Sequence, residues 1–144
     1  MRSLFDVNLL VALADEDHAF NERAHAWLQR HSSGGWASCA LTELGFVRVL
    51  SNPNYSDRVR LSVNEVARML RKFVERTDHE FWHAEVSLAD GSVFDTRRIH
   101  GPRQLADVYL LALAVHHGGR LVTLDQGIPV SAVKTAAARN LCVI

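Results

Sequence analysis

Residues 3–13, SLFDVNLLVAL, set a carboxylate and an amide inside an otherwise apolar run. Residues 2–5 predict a short buried strand, and the spacing of the leucines that follow predicts a helix that begins near Asp6. Asp6 therefore stands at the junction of a strand and a helix. An aspartate at such a junction either caps the helix or serves a functional site, and position alone leaves both interpretations open.

The 144 residues include 48% hydrophobic side chains and carry a formal net charge of zero. This length predicts one domain over residues 1–144 with a sizeable core, and the balanced charge argues against broad adhesion to nucleic acid.

Asp6 and Asn8 interrupt the first apolar run, which argues against a secretory signal, and no run reaches the ~20 apolar residues that span a bilayer. Cys39 and Cys142 fit no disulfide framework or metal-ligand spacing. We therefore expect a cytoplasmic protein with no membrane segment.

Downstream, predicted helices and strands alternate. Helices are predicted from Phe20 to the Gly34-Gly35 pair, over residues 39–51 with Ser38 as N-cap, from Ser62 to about Arg76, and from Arg103 to His117. Further strands are predicted at residues 36–37, 80–82, 120–124 and 141–144, with a loop at residues 90–102. Strands separated by helices, with no two-residue hairpin turn, predict an α/β fold with a central parallel sheet flanked by helices. In such sheets, ligands bind beyond the carboxyl ends of the strands.

Glu43 is hard to explain as part of a solvated helix face. The residues three and four positions away on the predicted helix all favour burial, and none can pair with it: Cys39, Ala40, Phe46 and Val47. A buried, unpaired carboxylate costs on the order of several kcal/mol or becomes protonated. We therefore expect Glu43 to have a partner elsewhere in the fold.

Asp107 and Asp125 have simpler alternative explanations. Asp107 lies in the first turn of an apolar helix, where it complements the helix dipole or pairs with Arg103. Asp125 follows a predicted strand, as Asp6 does, but taken alone it is better explained by an ordinary turn before Gly127.

Together, the four acids predict a metal site at the carboxyl edge of the sheet. Two unit charges ~4 Å apart repel by about 4 kcal/mol at an effective dielectric constant of 20, and no lysine is near any of the four in sequence. Oxygen ligands of this kind, with Asn8 and Thr123 nearby, suit Mg²⁺ or Mn²⁺ better than zinc. Such ions bind phosphates and activate water for hydrolysis.

Four segments resemble the motifs of PIN-domain ribonucleases, and more narrowly those of the toxin in bacterial VapBC toxin–antitoxin modules. They are Asp6-Val7-Asn8, the isolated Glu43, residues 104–114 (QLADVYLLALA) and residues 119–125 (GRLVTLD). The resemblance covers the whole chain in order and length; the last two motifs are fairly specific, whereas Glu43 is identified mainly by its position.

The resemblance implies a single PIN-like α/β/α domain that cleaves RNA with Mg²⁺ or Mn²⁺, leaving a 5′-phosphate and a 3′-hydroxyl. It implies that Asp6, Glu43, Asp107 and Asp125 are the catalytic and metal-binding acids, with Asp6 and Asp107 as the principal ligands. Asn8 and Thr123 would then be supporting polar residues. The family also implies an inhibitory cognate antitoxin and a homodimer. We hypothesise that helices at about 17–31 and 39–51 form the antitoxin surface, because an apolar stripe runs through Phe20, Trp27 and Leu28.

Several features remain open at the level of sequence. The basic cluster before Asp107 contains Arg97, Arg98 and Arg103, which either hold substrate phosphates or form a solvated loop. Asp90 and Asp95 lie in a long segment that departs from the family and either of them could approach the metal. Two other functions fit part of the pattern: an inactive PIN-like scaffold that binds RNA or protein, and a Mg²⁺-dependent phosphoryl-transfer α/β protein. The second lacks the adjacent acids or the Asp-x-Asp motif expected after its first strand.

Overall fold

A computed structural model describes all residues of the chain and contains one parallel sheet of five strands. The strands are β1 (Ser3–Phe5), β2 (Trp36–Ser38), β3 (His79–Phe81), β4 (Arg120–Thr123) and β5 (Leu141–Val143). Their order across the sheet is β3-β2-β1-β4-β5, and every neighbouring pair is parallel. The predicted α/β fold with a central parallel sheet is confirmed.

Five α-helices flank the sheet: α1 (Val7–Ala14), α2 (Asn21–His31), α3 (Ala40–Leu50), α4 (Val63–Arg76) and α5 (Leu105–His116). Successive strand residues point to opposite faces. Phe5 packs into a core cluster with residues of α1 to α4, whereas Leu4 packs into a second cluster with α5. The three layers therefore arise from short central strands, β1, β2 and β4, that are buried on both faces.

Helix α5 is apolar on nearly all sides because it lies inside its layer. Its buried residues are Val108, Leu110, Leu111, Ala112, Leu113 and Ala114. A 3₁₀ turn at Pro102–Gln104 precedes it, and Gly118, with φ of 68°, follows it. Glycine adopts that backbone conformation without steric cost, so it ends the helix cleanly before β4.

Glycine also brings α1 and α3 together. A Cβ atom at Gly45 in α3 would collide with the Val7 side chain at the start of α1. The missing side chain lets the two helices pack closely, so that Glu43 in α3 and Asp6 before α1 are carried by adjoining elements.

Two sequence predictions need correction. Ser38 is not the N-cap of α3: it is the last residue of β2, and Cys39 is the N-cap residue. The Thr42 hydroxyl accepts a hydrogen bond from the Cys39 backbone N–H at 3.0 Å, which leaves the Ser38 side chain free for another partner. Residues 90–102 are also more ordered than a plain loop, with a 3₁₀ turn at Thr96–Arg98 and a bridge from Phe94 to Val133.

No helix is both long enough and apolar enough to cross a membrane.

Candidate active site

The strand order reverses at the carboxyl ends of β1 and β4. The chain first adds β2 and β3 on one side of β1, and then returns to place β4 and β5 on the other side. Ligand sites of open α/β sheets lie at such a reversal point. Asp6 directly follows β1, and Asp125 comes two residues after the end of β4.

Asp6 is both a helix cap and a buried carboxylate at this reversal point. The Leu9 backbone N–H donates to Asp6 Oδ1 at 2.6 Å, which is N-cap geometry. The Thr123 hydroxyl donates to Oδ2 of the same carboxylate. Only 2% of the Asp6 surface is exposed. A cap needs one carboxylate oxygen, so the helix does not account for the second oxygen or for the burial of the group.

Burial raises the pKa of the Asp6 carboxyl to about 6. The hydrogen bonds from Thr123 and Leu9 oppose this rise, while the negative charges of Asp107 and Asp125 add to it. No positively charged side chain contributes to the balance. Asp6 is therefore an acid that the fold holds close to two other acids without a counter-charge.

Asp107 projects from the first turn of α5, on the opposite side of the sheet from α1. Its half-buried position raises its pKa, and so does the charge of Asp125. Neither a hydrogen bond nor a cation opposes these effects. The pairing with Arg103 that the sequence left open is not formed, and Arg103 is exposed.

Asp125 sits in a turn that is tied to Asp6. Its backbone N–H donates to the Thr123 hydroxyl at 2.9 Å, and that hydroxyl in turn donates to Asp6. Oδ1 of Asp125 accepts from the Gly127 backbone N–H at 2.7 Å. The turn interpretation and the site interpretation are thus compatible, because the side chain that ends the turn also carries a charge that raises the pKa values of Asp6 and Asp107.

Glu43 has a hydrogen-bond partner of its own. Its carboxylate accepts a hydrogen bond from the Ser38 hydroxyl at 2.6 Å, and Ser38 Oγ lies 2.8 Å from His79 Nε2. Its charge is not among those that raise the pKa of Asp6 or Asp107. The partner expected for Glu43 is therefore Ser38. Asn8, in the first turn of α1, is exposed.

The two extra acids of the long segment are held elsewhere. Asp95 binds Arg97 at 2.9 Å and Arg98 at 3.3 Å, and the hydrogen bond from Arg97 is the largest cause that lowers the Asp95 pKa to about 2. Asp90 accepts hydrogen bonds from Ser92, which lower its pKa. Arg97 and Arg98 are thus already paired with a carboxylate inside their own turn.

Gln104 stabilises the candidate site through two hydrogen bonds that the sequence did not predict. Its Oε1 accepts from the His100 backbone N–H at 2.9 Å, and its Nε2 donates to the Gly127 carbonyl at 2.9 Å. It therefore links the turn after Asp125 to the start of the helix that carries Asp107. Such a contact between distant segments is set by tertiary packing rather than by local pattern.

The donor set suits a hard divalent cation, since every candidate ligand is an oxygen. Asp6 already accepts one hydrogen bond on each oxygen, and each oxygen keeps a further lone pair. As placed, no three His, Cys, Asp or Glu side chains are arranged to hold an ion together.

The largest cavity lies at the other end of the sheet. It is a groove of about 880 Å³, lined by α2 and by residues just before β2 and β3, among them Trp27, Gly35 and Asp78. These residues mark the amino ends of β2 and β3, and none of the three aspartates lines the groove. Trp27 and Leu28 pack partly against the core. The exposed apolar residues of the hypothesised antitoxin surface are Phe20, Leu41 and Leu44.

Comparison with known proteins assigns the family. Residues 3–133 match the model of the PIN domain. The chain is 47% identical to Ribonuclease VapC44 of Mycobacterium tuberculosis (strain H37Rv) over the full length of both chains. It is 36% identical to Ribonuclease VapC39 of the same strain, over 92% of this chain and 94% of that protein. The chain belongs to the PIN-domain family, and its full-length relatives place it among the VapC proteins.

A solved structure shares the fold at low sequence identity. It is a crystal structure of VapBC2 from Rickettsia felis bound to a DNA fragment from their promoter. The match has a TM-score of 0.56 and 12% identity, and covers 100% of this chain and 98% of the matched chain. At that identity, the likeness supports the three-layer architecture alone.

Proposed function

We propose that the protein is a Mg²⁺- or Mn²⁺-dependent endoribonuclease and the toxin of a VapBC-type toxin–antitoxin pair. The observation that carries the proposal is the set of three aspartates at the reversal point of the sheet, with Asp6 buried and its pKa raised to about 6 without a cationic partner. Strongly perturbed acids in a crevice are typical of functional sites. The full-length relationship to Ribonuclease VapC44 supports RNA as the substrate.

Asp6 and Asp107 would be the principal ligands of the ion, and Glu43 and Asp125 would complete its surroundings. A bound divalent cation supplies a counter-charge for the scissile phosphate and a water activated for attack. Thr123 fixes the orientation of Asp6 through its hydroxyl, and the N-terminal turn of α1 fixes it through Leu9. Asn8 is exposed at the rim, where it would meet substrate or water rather than orient an acid.

Substrate phosphates would meet the basic segment before α5. Arg103 is exposed in the turn that leads into the helix of Asp107, which makes it the best placed of the three arginines. Arg97 and Arg98 are exposed as well, although Asp95 neutralises part of their charge. Arginine suits phosphate because its planar group donates two parallel hydrogen bonds.

The cognate antitoxin would cover α2 and α3. Leu41 and Leu44 are 46% and 62% exposed on α3, one helical turn apart, and Phe20 is 40% exposed before α2. Trp27 and Leu28, which the sequence predicted as part of the apolar contact, pack partly against the core. The proposed apolar contact is therefore formed by Phe20, Leu41 and Leu44. A homodimer and a cytoplasmic location are parts of the same proposal, as is one domain over residues 1–144.

The test is cleavage of total RNA by purified protein, after denaturing removal of any bound antitoxin and refolding. Reactions contain Mg²⁺, Mn²⁺ or EDTA, and the control is Asp6→Asn, which keeps a side chain able to cap α1. We expect discrete products with either ion and none with EDTA or the variant. Folded wild-type protein that neither cleaves RNA nor binds Mn²⁺ would instead identify an inactive PIN-like scaffold.

A further inference from the structure

The surroundings of Glu43 form a hydrogen-bond chain that the function proposed above does not use. The Ser38 hydroxyl lies 2.6 Å from Glu43 Oε1 and 2.8 Å from His79 Nε2. Ser38 is the last residue of β2 and is fully buried, whereas His79 opens the neighbouring strand β3. Three elements thus meet through one hydroxyl group.

The chemistry of serine fixes the direction of the chain. A serine hydroxyl has a single proton, and an ionised carboxylate can only accept. Ser38 therefore gives its proton to Glu43, and its oxygen must accept from His79. His79 Nε2 accordingly carries a hydrogen and donates it to Ser38.

The imidazole is held in place for this task. Its ring centroid lies 4.4 Å from that of Trp36, which is 2% exposed and stacks on Phe5 at 5.1 Å. The position of the ring is thus set by the core, and the ring in turn fixes the hydroxyl rotor of Ser38. Outer hydrogen-bond partners of this kind orient carboxylates that bind metal ions.

We propose that Ser38 and His79 are positioning residues that hold the Glu43 carboxylate in the orientation required by the active site. The inference rests on the proposed function, because it assigns Glu43 a role there. It accounts for a fully buried serine at the end of β2. It also accounts for a histidine whose Nε2 faces the interior instead of solvent.

Two substitutions at His79 separate this role from a structural one. His79→Gln places an amide N–H near the position of Nε2, so it keeps the donor but loses the ring. His79→Phe keeps a ring against Trp36 but loses the donor. Ser38→Ala removes the central hydroxyl, and His117→Phe is the matched control, because His117 stacks on Trp82 at 4.5 Å in another part of the chain. Thermal unfolding checks that each variant is folded.

The measurements are kcat and KM on an RNA with a single mapped cut, Mn²⁺ affinity by calorimetry, and ¹⁵N NMR of the imidazole. We expect His79→Phe and Ser38→Ala to lose about 10–100-fold in kcat or Mn²⁺ affinity, while His79→Gln retains most of both. The NMR spectrum should show hydrogen on Nε2 of His79 in the wild type, and its shift should change in Ser38→Ala.

Two outcomes would overturn the inference in different ways. In the first, the wild type is active, His79→Phe has the same kcat and Mn²⁺ affinity, and His79→Gln has lower values. This result would show that the His79 ring only supports packing. A folded wild type with no cleavage and no Mn²⁺ binding would overturn the proposed function, and the positioning role with it.

Discussion

Asp6 and Asp95 are the same residue type in opposite surroundings. Asp6 is buried beside two other acids, and its pKa is raised to about 6. Asp95 holds two arginines in an exposed turn, and its pKa is lowered to about 2. The fold therefore places two arginines beside Asp95, which organises a loop, but no cation beside Asp6 at the carboxyl end of β1. Missing neutralisation, rather than the presence of an acid, marks the candidate site.

The largest expected effect is on catalysis by Asp6→Asn. The substitution removes the charge of a proposed metal ligand, while an amide oxygen remains to cap α1. Loss of an outer hydrogen-bond partner typically costs about 10–100-fold in activity. We expect the cleavage rate to fall by more than that. Initial rates on a mapped RNA measure the change, and Asp95→Asn is the paired control. Equal losses in the two variants would remove the distinction between the two aspartates.

The second effect concerns stability without metal. Between about pH 4 and pH 6 the folded protein keeps a proton on Asp6 that the unfolded chain has released, so the free energy of unfolding should fall as the pH rises through this window. A difference of about two pKa units corresponds to about 3 kcal/mol.

Urea unfolding of metal-free protein at several pH values measures this dependence. In Asp6→Asn the slope should be much smaller, with a remainder from Asp107, whose pKa is also raised. The variant should be more stable than the wild type above pH 6, as expected when a residue is kept for function at a cost in stability. A variant less stable than the wild type at neutral pH would contradict the assignment of Asp6 as an uncompensated charge.

The third effect is on metal affinity. A proton on Asp6 competes with the cation, so the affinity for Mn²⁺ should fall by about tenfold per pH unit below the Asp6 pKa of about 6. Calorimetric titration from neutral to acidic pH measures the decline. Binding that stays constant down to pH 4 would place the ion away from Asp6.

A smaller effect is expected from Gln104→Ala. The variant loses two hydrogen bonds, each worth ~1 kcal/mol. One of them, from Gln104 Nε2 to the Gly127 carbonyl, holds the turn of Asp125 against the start of α5, and the other fixes Gln104 to the His100 backbone. We expect kcat to fall by up to about tenfold through looser placement of Asp125 relative to Asp107. Gln126→Ala, an exposed neighbour in the same turn, is the control and should leave kcat unchanged.

The smallest effect is expected from Asp95→Asn. Its ion pairs are largely exposed on the arginine side, where such contacts contribute little. Because the pKa of Asp95 is lowered, its contribution to stability is present above about pH 4 and is lost only as the pH falls towards 2. Unfolding curves of the variant and the wild type should therefore converge at the acidic end. A change in the RNA cleavage rate of Asp95→Asn would instead indicate that this turn is part of the active site.

The sequence predicted the architecture well where patterns were local. Strands and helices alternate as expected, and the apolar middle of α5 is buried on nearly all sides. The junction at Asp6 was also recognisable, since an acid between a strand and a helix stands at the carboxyl edge of a parallel sheet. The cap is confirmed, and the functional role stays a prediction: Asp6 caps α1 and also lies near the charges of Asp107 and Asp125.

Contacts between distant segments were beyond prediction. The sequence predicted Ser38 as the N-cap of α3, whereas Ser38 ends β2 and its hydroxyl donates to Glu43. The Thr42 hydroxyl accepts the hydrogen bond from the Cys39 backbone N–H at the start of the helix instead. The roles of Gln104 and His79 depend on partners 23 and 41 residues away. Such pairs leave no periodicity in a single sequence, since only the packed fold brings them together.

In the proposed function, the three aspartates act only together with a divalent cation. The most direct measurement adds Mn²⁺ back to EDTA-treated protein and follows RNA cleavage and thermal stability in the same samples. For the wild type, both should rise with one midpoint; for Asp6→Asn, neither should rise. Full cleavage in EDTA, or restoration of Asp6→Asn to the wild-type rate, would contradict the claim that these acids form a metal-dependent ribonuclease site.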